Sequence, residues 1–428
     1  MKAINIITLG CSKNRVDSEQ LAAQLEQNSF RVTHEAAKPL PLTLINTCGF
    51  INDAKAQAIE IILECVEQKA NGQIKTLIVF GCLSERYKED LQKEIPELDA
   101  VFGVNSFKEI LSFLNAKLHE EALTFRKISS LSHYAYLKIS EGCSHQCSFC
   151  AIPSIRGKQV SKPIELICEE ATALAEQGVK ELILVAQDLT HYGYDLYKKR
   201  KIYSLVEALL QVEKLAWIRL HYLYPNAFQM DILDLIKEHP RICNYLDIPI
   251  QHINDDILTA MKRRITADEI RRLLDKIRNK IPDIAIRTSL IVGFPGETKK
   301  KFYQLRDFLQ ESQLDRVGVF TYSHEENTPA YALKDTITQK EKEERKEELM
   351  CLQQNISLQK NKQKVGKIFN VLIDTEENDS FIGRTEFDSP EVDNTVIISK
   401  KSQPLSTGNF YNVTITDAEC FDLFGEVK

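Results

Sequence analysis

The sequence predicts an α/β protein in three parts: an amino-terminal parallel α/β domain, an open (β/α)6 barrel, and a small antiparallel β-barrel at the carboxyl terminus. Three observations lead there. Apolar strand-like runs alternate with helix-like stretches through the first hundred residues, and the alternation resumes near Tyr134 with six further runs. After Gly366 the helical period gives way to short β-rich runs. At 428 residues the chain is long for one core, and the expected boundaries are 1–125, 130–362 and 363–428.

In the first part the runs are Ala3-Ile4-Asn5-Ile6-Ile7, Leu42-Thr43-Leu44-Ile45 and Thr76-Leu77-Ile78-Val79-Phe80. Each is followed within a few residues by a cysteine, Cys11, Cys48 and Cys82 in turn. Parallel strands end on one side of their sheet, where ligands bind, so three thiols are expected to converge there. With 11 cysteines in 428 residues, three matched positions arise by chance on the order of once in 10⁵ before discounting the freedom of the search. Cys65, Cys168, Cys243, Cys351 and Cys420 are read as small hydrophobes.

The barrel strands are expected at Tyr136–Ile139, Leu182–Val185, Trp217–Leu220, Tyr245–Ile248, Ile284–Ile291 and Val317–Phe320, with helices such as Pro163–Glu176 and Thr298–Gln310 between them. The working face of such a barrel lies at the carboxyl ends of its strands. Directly after the first strand comes Glu141-Gly142-Cys143-Ser144-His145-Gln146-Cys147-Ser148-Phe149-Cys150. The spacing CxxxCxxC puts three thiolates in one short loop, enough for three corners of a cubane cluster with the fourth iron left open. A zinc site with His145 as fourth ligand, or a disulfide with one spare thiol, are the alternatives. Polar residues also leave the strand ends at Gln187 and Asp188, His221 and Tyr222, Gln251 and His252, and Tyr322 and Ser323.

Gly293-Phe294-Pro295-Gly296-Glu297-Thr298 reads as a strand-to-helix turn, because no Gly-Lys-Ser/Thr follows to make a phosphate loop. The mixed charges of residues 338–364 read as a solvated helix face that needs no partner. The last part, with strands at Lys367–Ile373, Phe381–Thr385, Thr395–Ile398 and Tyr411–Thr416, carries 5 Lys or Arg against 12 Asp or Glu from Gly366 onward. Such a domain repels phosphate and attracts a basic surface.

Composition narrows the class further. With 43% hydrophobic and 27% charged residues, the chain reads as a soluble globular protein. The apolar stretch that follows Met1-Lys2 is too short for a signal peptide, and no run approaches the roughly 18 apolar residues that span a bilayer. A cytoplasmic protein with no membrane partner is expected, in which eleven cysteines suggest metal ligands more than disulfides. The net charge of −6 argues against a broad nucleic-acid-binding surface but leaves room for a local basic patch.

Phe149 before the last cysteine, and Tyr136-Leu137-Lys138-Ile139 before the loop, resemble the radical S-adenosylmethionine (SAM) enzymes. The spacing of Cys11, Cys48 and Cys82, with Gly10-Cys11-Ser12-Lys13-Asn14-Arg15-Val16-Asp17-Ser18-Glu19, resembles the methylthiotransferases of that class, and the resemblance covers essentially the whole chain. It implies two [4Fe-4S] clusters, one held by Cys143, Cys147 and Cys150 and one by Cys11, Cys48 and Cys82, together with SAM. It also implies a TRAM domain at the carboxyl terminus, a contact between SAM adenine and the turn at Gly293, and a low-potential electron donor, flavodoxin or ferredoxin. The first cluster would bind SAM and pass it one electron, releasing a 5′-deoxyadenosyl radical. The second would carry a sulfur, methylated by another SAM, to the substrate radical.

Within the family, Gly10-Cys11-Ser12-Lys13-Asn14, Lys138-Ile139-Ser140-Glu141-Gly142-Cys143 and Tyr322-Ser323-His324-Glu325-Glu326-Asn327-Thr328 resemble the branch that modifies an aspartate of small-subunit ribosomal protein number twelve. The tRNA branch usually has Gly-Cys-Gln-Met-Asn at the first run. The usual family form has Gly at Asn327, and Asn also tolerates a left-handed conformation. The acidic tail agrees with a basic protein as substrate and no direct nucleic-acid substrate. An aspartate β-carbon has no C–H acidic enough for a side-chain base, so radical chemistry from a cofactor is required. A tRNA adenosine methylthiotransferase is the alternative, with a zinc-stabilised or electron-transfer iron–sulfur protein more remote. No catalytic side chain beyond the cluster ligands is assigned.

Overall fold

The computed structural model describes residues 2–120, 124–226, 228–400 and 404–428; Met1, where the apolar start begins, lies outside them. The first unit is a five-stranded parallel sheet of β1 (Ala3–Thr8), β2 (Arg31–His34), β3 (Leu42–Thr47), β4 (Thr76–Gly81) and β5 (Ala100–Val101) in the order β2-β1-β3-β4-β5. Central β3 is buried at every position, and its polar members Thr43, Asn46 and Thr47 donate to the carbonyls of Leu40, Asn14 and Phe80. One face packs Ile4, Ile6 and Leu44 against Leu21 and Leu25 of the helix Ser12–Gln27, and the other packs Ile45 and Val79 against Ala58 and Ile62 of Asn52–Ala70.

The middle unit holds β6 (Tyr134–Lys138), β7 (Ser140–Glu141), β8 (Val160–Ser161), β9 (Glu181–Val185), β10 (Trp217–Leu220), β11 (Ile242–Asp247), β12 (Ala285–Val292) and β13 (Arg316–Thr321). Six of these form a parallel sheet in the order β13-β12-β11-β10-β9-β6, so chain order is spatial order and the barrel stays open between β6 and β13. Leu182, Leu184, Ile218, Leu220, Leu246 and Ile286 face the outer helices. The alternate positions face inward and turn polar along the way, with Arg219, Tyr245, Asp247 and Arg287 buried or nearly so. The pair β7 and β8 is a two-residue antiparallel clip that closes the base of the cysteine loop.

A closed barrel follows, made of β14 (Ile368–Glu376), β15 (Ser380–Arg384), β16 (Thr395–Ser399), β17 (Phe410–Ala418) and β18 (Asp422–Val427) in the order β14-β15-β16-β18-β17. Closure removes the strand edges that an open sheet of this size would expose. Four of its five pairings are antiparallel, and β16 with β18 is parallel.

Two readings of the sequence are corrected here. The charged stretch after Thr338 does form a helix, Gln339–Lys362, but it is not a solvated rod. Leu349 and Ile356 join the barrel core, while buried Lys342 and Arg345 pair with Asp335 (2.6 Å) and Glu297 (2.6 Å). The acidity of the last unit is in part turned inward, although Glu376, Glu377, Asp379, Glu391, Asp417, Glu419 and Glu426 stay exposed. The segment between β15 and β16 enters the barrel, where Asp388 pairs with Arg316 (2.5 Å), Asp393 accepts from the Tyr245 hydroxyl (2.7 Å) and Ser389 meets the His221 ring (2.9 Å). On the same segment Glu386 accepts from Asn244 (2.8 Å), and Glu391 from Arg15 (2.5 Å) and Tyr134 (2.8 Å).

Candidate active site between two cysteine sets

Cys11 precedes the helix after β1, Cys48 follows β3, and Cys82 opens the helix after β4. The topology therefore delivers all three to the carboxyl edge of one sheet. Their closeness is visible at the glycines between them. Gly10 has φ +92°, and a Cβ there would lie 2.8 Å from the Cys48 sulfur; a Cβ on Gly49 would lie 2.6 Å from the Leu83 backbone. Asn14 locks two of the loops together by donating to the carbonyls of Leu9 (2.9 Å) and Thr47 (3.1 Å). Its carboxamide oxygen faces the Cys82 sulfur at 3.6 Å.

Electrostatics separate the three thiols. Burial opposes a Cys11 thiolate, but Lys13 and Arg156 beside it prevail and lower its pKa. Burial raises Cys48, and it pushes Cys82 up to about 12. The two buried thiols thus hold their protons until a cation replaces them, as iron does on binding.

The second set lies in the loop after β6. Gly142 (φ +71°) is a required glycine, since a Cβ would run into the carbonyls of Arg156, Gly157 and Lys158. The loop is pinned by Cys143 N–H donating to Gly157 (3.0 Å), Ser148 N–H to Met261 (3.0 Å) and Ser148 Oγ to Ala260 (2.6 Å). Arg263 donates toward the Cys147 sulfur at 3.5 Å, and the Tyr224 hydroxyl stands 3.7 Å from it. Burial pushes the Cys143 and Cys150 thiols up to about 12. His145 does not turn toward the sulfurs as a fourth ligand would: it stacks on Tyr224 with ring centroids 3.9 Å apart and pairs with Asp188 at 2.6 Å. Among the described residues no three His, Cys, Asp or Glu side chains lie close enough to hold one metal ion. Ligands of a single zinc sit within about 4 Å of each other, whereas cubane thiolates each bind a different iron and stand further apart.

A buried polar bridge joins the two sets. Arg156, six residues after Cys150, donates to Asn14 Oδ1 (2.6 Å), Asp17 (3.0 Å) and Glu141 (2.8 Å), and Lys138 holds Asp17 and Glu141 from the other side. Cys82, Ala151 and Ile155 pack together over it. Across the mouth, Glu325 accepts from Lys55 (2.9 Å) and Arg86 (2.8 Å), so the first unit caps the barrel at two separate places.

The ring of polar strand ends is real but mostly engaged. Asp188 holds Thr190 and His145, His221 holds Ser389, and His252 pairs with Glu297 at 3.2 Å. Both amide atoms of Gln187 are buried without a partner. Tyr222 and Gln251 take left-handed backbone (φ +59° and +71°), an uncommon state for such residues and one found where a site imposes it.

Family models match in three places: the Radical SAM superfamily at residues 137–309, Uncharacterized protein family UPF0004 at 3–103, and the TRAM domain at 365–427. The proteins named ribosomal protein uS12 methylthiotransferase RimO from Christiangramia forsetii and Flavobacterium johnsoniae are each 52% identical to this chain, over 99% of it and 94% and 97% of their own lengths. The Bacteroides thetaiotaomicron protein of that name is 47% identical over the full chain and 98% of its own length. The chain belongs to the RimO family.

Membership makes it a radical SAM transferase, and SAM and an iron–sulfur cluster are the cofactors of that class. Solved structures agree on the fold. The radical SAM methyltransferase TsrM from Kitasatospora setae, with cobalamin and a [4Fe-4S] cluster bound, superposes with TM-score 0.56 at 13% identity over 77% of this chain and 74% of its own. The radical SAM enzyme OxsB, with cobalamin and SAM bound, gives 0.52 at 10% identity over 77% and 54%. The six cysteines that the sequence singles out fall at two places in this candidate site. The bridge that Arg156 and Lys138 make with Asn14 and Asp17 was not legible, because polar residues on three separate elements carry no signal of their pairing. Cys351 is exposed, unlike the buried Cys65 and Cys243, so its reading as a buried hydrophobe fails.

Proposed function

We propose that this protein methylthiolates the β-carbon of an aspartate in small-subunit ribosomal protein uS12, as a cytoplasmic enzyme with two [4Fe-4S] clusters. The observation that carries the reading is the approach of two three-cysteine sets across one polar bridge, in a chain about half identical to RimO proteins over nearly its full length. Residues 1–125, 130–362 and 363–428 are assigned as the methylthiotransferase amino-terminal domain, the radical SAM core and the TRAM domain.

Cys143, Cys147 and Cys150 would hold the cluster that serves SAM, and Cys11, Cys48 and Cys82 the cluster that serves sulfur. When bound, the first cluster and SAM supply the hydrogen-abstracting radical that no side chain can. The chain's own residues set the stage. Gly142 and Ser148 shape the loop, Arg156 and Lys138 tie the two sets together, and the Lys55–Glu325–Arg86 pairs join the first unit to the barrel across the mouth. The turn at Gly293 is held open by Glu297, which Arg345 and the Gly293 N–H secure, and is assigned to the adenine side of SAM. A low-potential donor such as flavodoxin or ferredoxin is required for the electron. No described helix is long and apolar enough to cross a membrane.

The two sets are tested separately in anaerobically purified protein. Replacing Cys143, Cys147 and Cys150 with Ala should remove one cluster's iron and sulfide and abolish SAM cleavage. Replacing Cys11, Cys48 and Cys82 should remove the other and abolish sulfur insertion while SAM is still cleaved. Zinc without iron in the wild type, or methylthiolated product at the wild-type rate from the second variant, would retire the assignment.

A further inference from the structure

Most buried cations near the two cysteine sets come with their own acids, and two do not: Arg263, which turns to the Cys147 sulfur and the Pro249 carbonyl, and Lys13. Lys138 and Arg156 share Asp17 and Glu141, Arg126 has Glu19 and Glu170, and half-buried Arg15 has Glu391. Lys13 is only 8% exposed, and its amine sits 3.8 Å over the Tyr222 ring. Among the described residues no carboxylate pairs with it. An ammonium taken from water without a paired carboxylate is costly, and the Tyr222 π-face and the neighbouring Cys11 sulfur return only part of that cost. Tyr222 holds this contact from a left-handed backbone conformation, so the arrangement is imposed by the fold and is no accident of a loose side chain.

We propose that the Lys13 ammonium binds the side-chain carboxylate of the substrate aspartate, and so selects an acidic side chain for modification; this rests on the aspartate reading above. The γ-carboxylate is one bond away from the carbon to be modified. Whatever reads it must stand in the same mouth as the group that delivers sulfur, and Lys13 is two residues from Cys11. Gln187 continues the inward face of Ile183 and Val185 at the end of β9, with both of its amide atoms buried and unpartnered. Its N–H₂ supplies a neutral donor on the barrel side of that mouth. A site built to pair with a buried polar group discriminates strongly against an analogue that lacks the matching group.

The competing role for Lys13 is as countercharge to the second cluster, and binding experiments separate the two. The probes are a synthetic uS12 peptide spanning the modified aspartate and its Asn counterpart, titrated by fluorescence anisotropy into cluster-reconstituted full-length wild type, Lys13→Met and Lys13→Arg. The wild type should prefer the Asp peptide. Lys13→Met should bind it about 100-fold more weakly and no longer distinguish the two, with iron content and EPR spectrum as in the wild type. Lys13→Arg should keep the preference. An Asp preference intact in Lys13→Met overturns the proposal, and if iron is lost as well the residue serves the cluster. Loss of preference in both variants places the effect in packing and also overturns it. Should the wild type modify tRNA and not the protein, the functional reading has failed; modification of the protein with an unaltered preference in Lys13→Met retires the Lys13 assignment alone.

Discussion

Asp374 accepts from Arg384 (2.5 and 3.0 Å) and from the His133 ring (2.8 Å) at the junction of the β-barrel and the middle unit. In the sequence it stands in an acidic run with Glu376, Glu377 and Asp379, which reads equally as a docking contact or as a solvated turn. The structure leaves only the latter three exposed, Glu376 with Lys400 at 2.7 Å. Burial disfavours the Asp374 charge, but Arg384 and the His133 hydrogen bond outweigh it and hold the carboxyl below its usual range. A carboxyl with a depressed folded pKa adds stability above its ordinary value, and loses it as pH falls through the depressed one. Asp374→Asn should therefore lower stability by about 3–5 kcal/mol near neutral pH, as when one partner of a buried pair is removed. The gap from wild type should close on acidification, read from urea midpoints between about pH 6 and pH 3. A gap independent of pH would mean that the charge contributes nothing. The same limit of sequence reading applies to Lys13 and Arg156, whose partners include Tyr222, Asn14 and Asp17, each more than a hundred positions away.

At the scale of elements, sequence served best where a strand is central and apolar and worst at edges. β3, β4, β9 and β10 were legible within a residue or two, whereas β2 has one apolar residue in Arg31-Val32-Thr33-His34 and β5 is two residues long. β18 was missed because Gly425 and flanking acids interrupt its alternation. The helix Gln339–Lys362 was found but misjudged, since its buried face is made of Lys342, Arg345, Gln353 and Asn361 as well as Leu349 and Ile356. Arg345→Met should lower the thermal midpoint by leaving Glu297 buried and uncompensated, and adding Glu297→Gln should restore part of it. A single variant as stable as wild type would show that the brace is dispensable. Gly142→Ala is sharper. The left-handed backbone and the three facing carbonyls leave no room for a methyl, so iron bound by the Cys143 set should fall while iron bound by the Cys11 set is kept. Retention of both would contradict the tight loop.

In the whole molecule, charge and apolar packing together tie the terminal barrel to the middle unit, where Trp217, Tyr245 and Ala285 pack with Leu372, Phe387 and Phe410. Arg384 of the terminal barrel meets Glu181 at 2.8 Å, Glu181 also takes Arg219 at 2.7 Å, and the inserted segment supplies Asp388 and Asp393 to the barrel interior. Removal of residues 365–428 would leave Arg316 without Asp388 and Glu181 without Arg384. The truncated chain should therefore lose its cooperative melting transition, and a truncation with an unchanged melt would show that the terminal barrel is merely tethered. The acidic composition is accordingly only partly available to a partner. The substrate assignment rests on the RimO relatives more than on net charge. The most direct test offers the anaerobic, reduced wild-type enzyme both uS12 and tRNA with SAM, followed by mass spectrometry of each. The account predicts a gain of one sulfur, one carbon and two hydrogens on an aspartate of uS12 and none on tRNA; the same gain on tRNA with uS12 unmodified would contradict it.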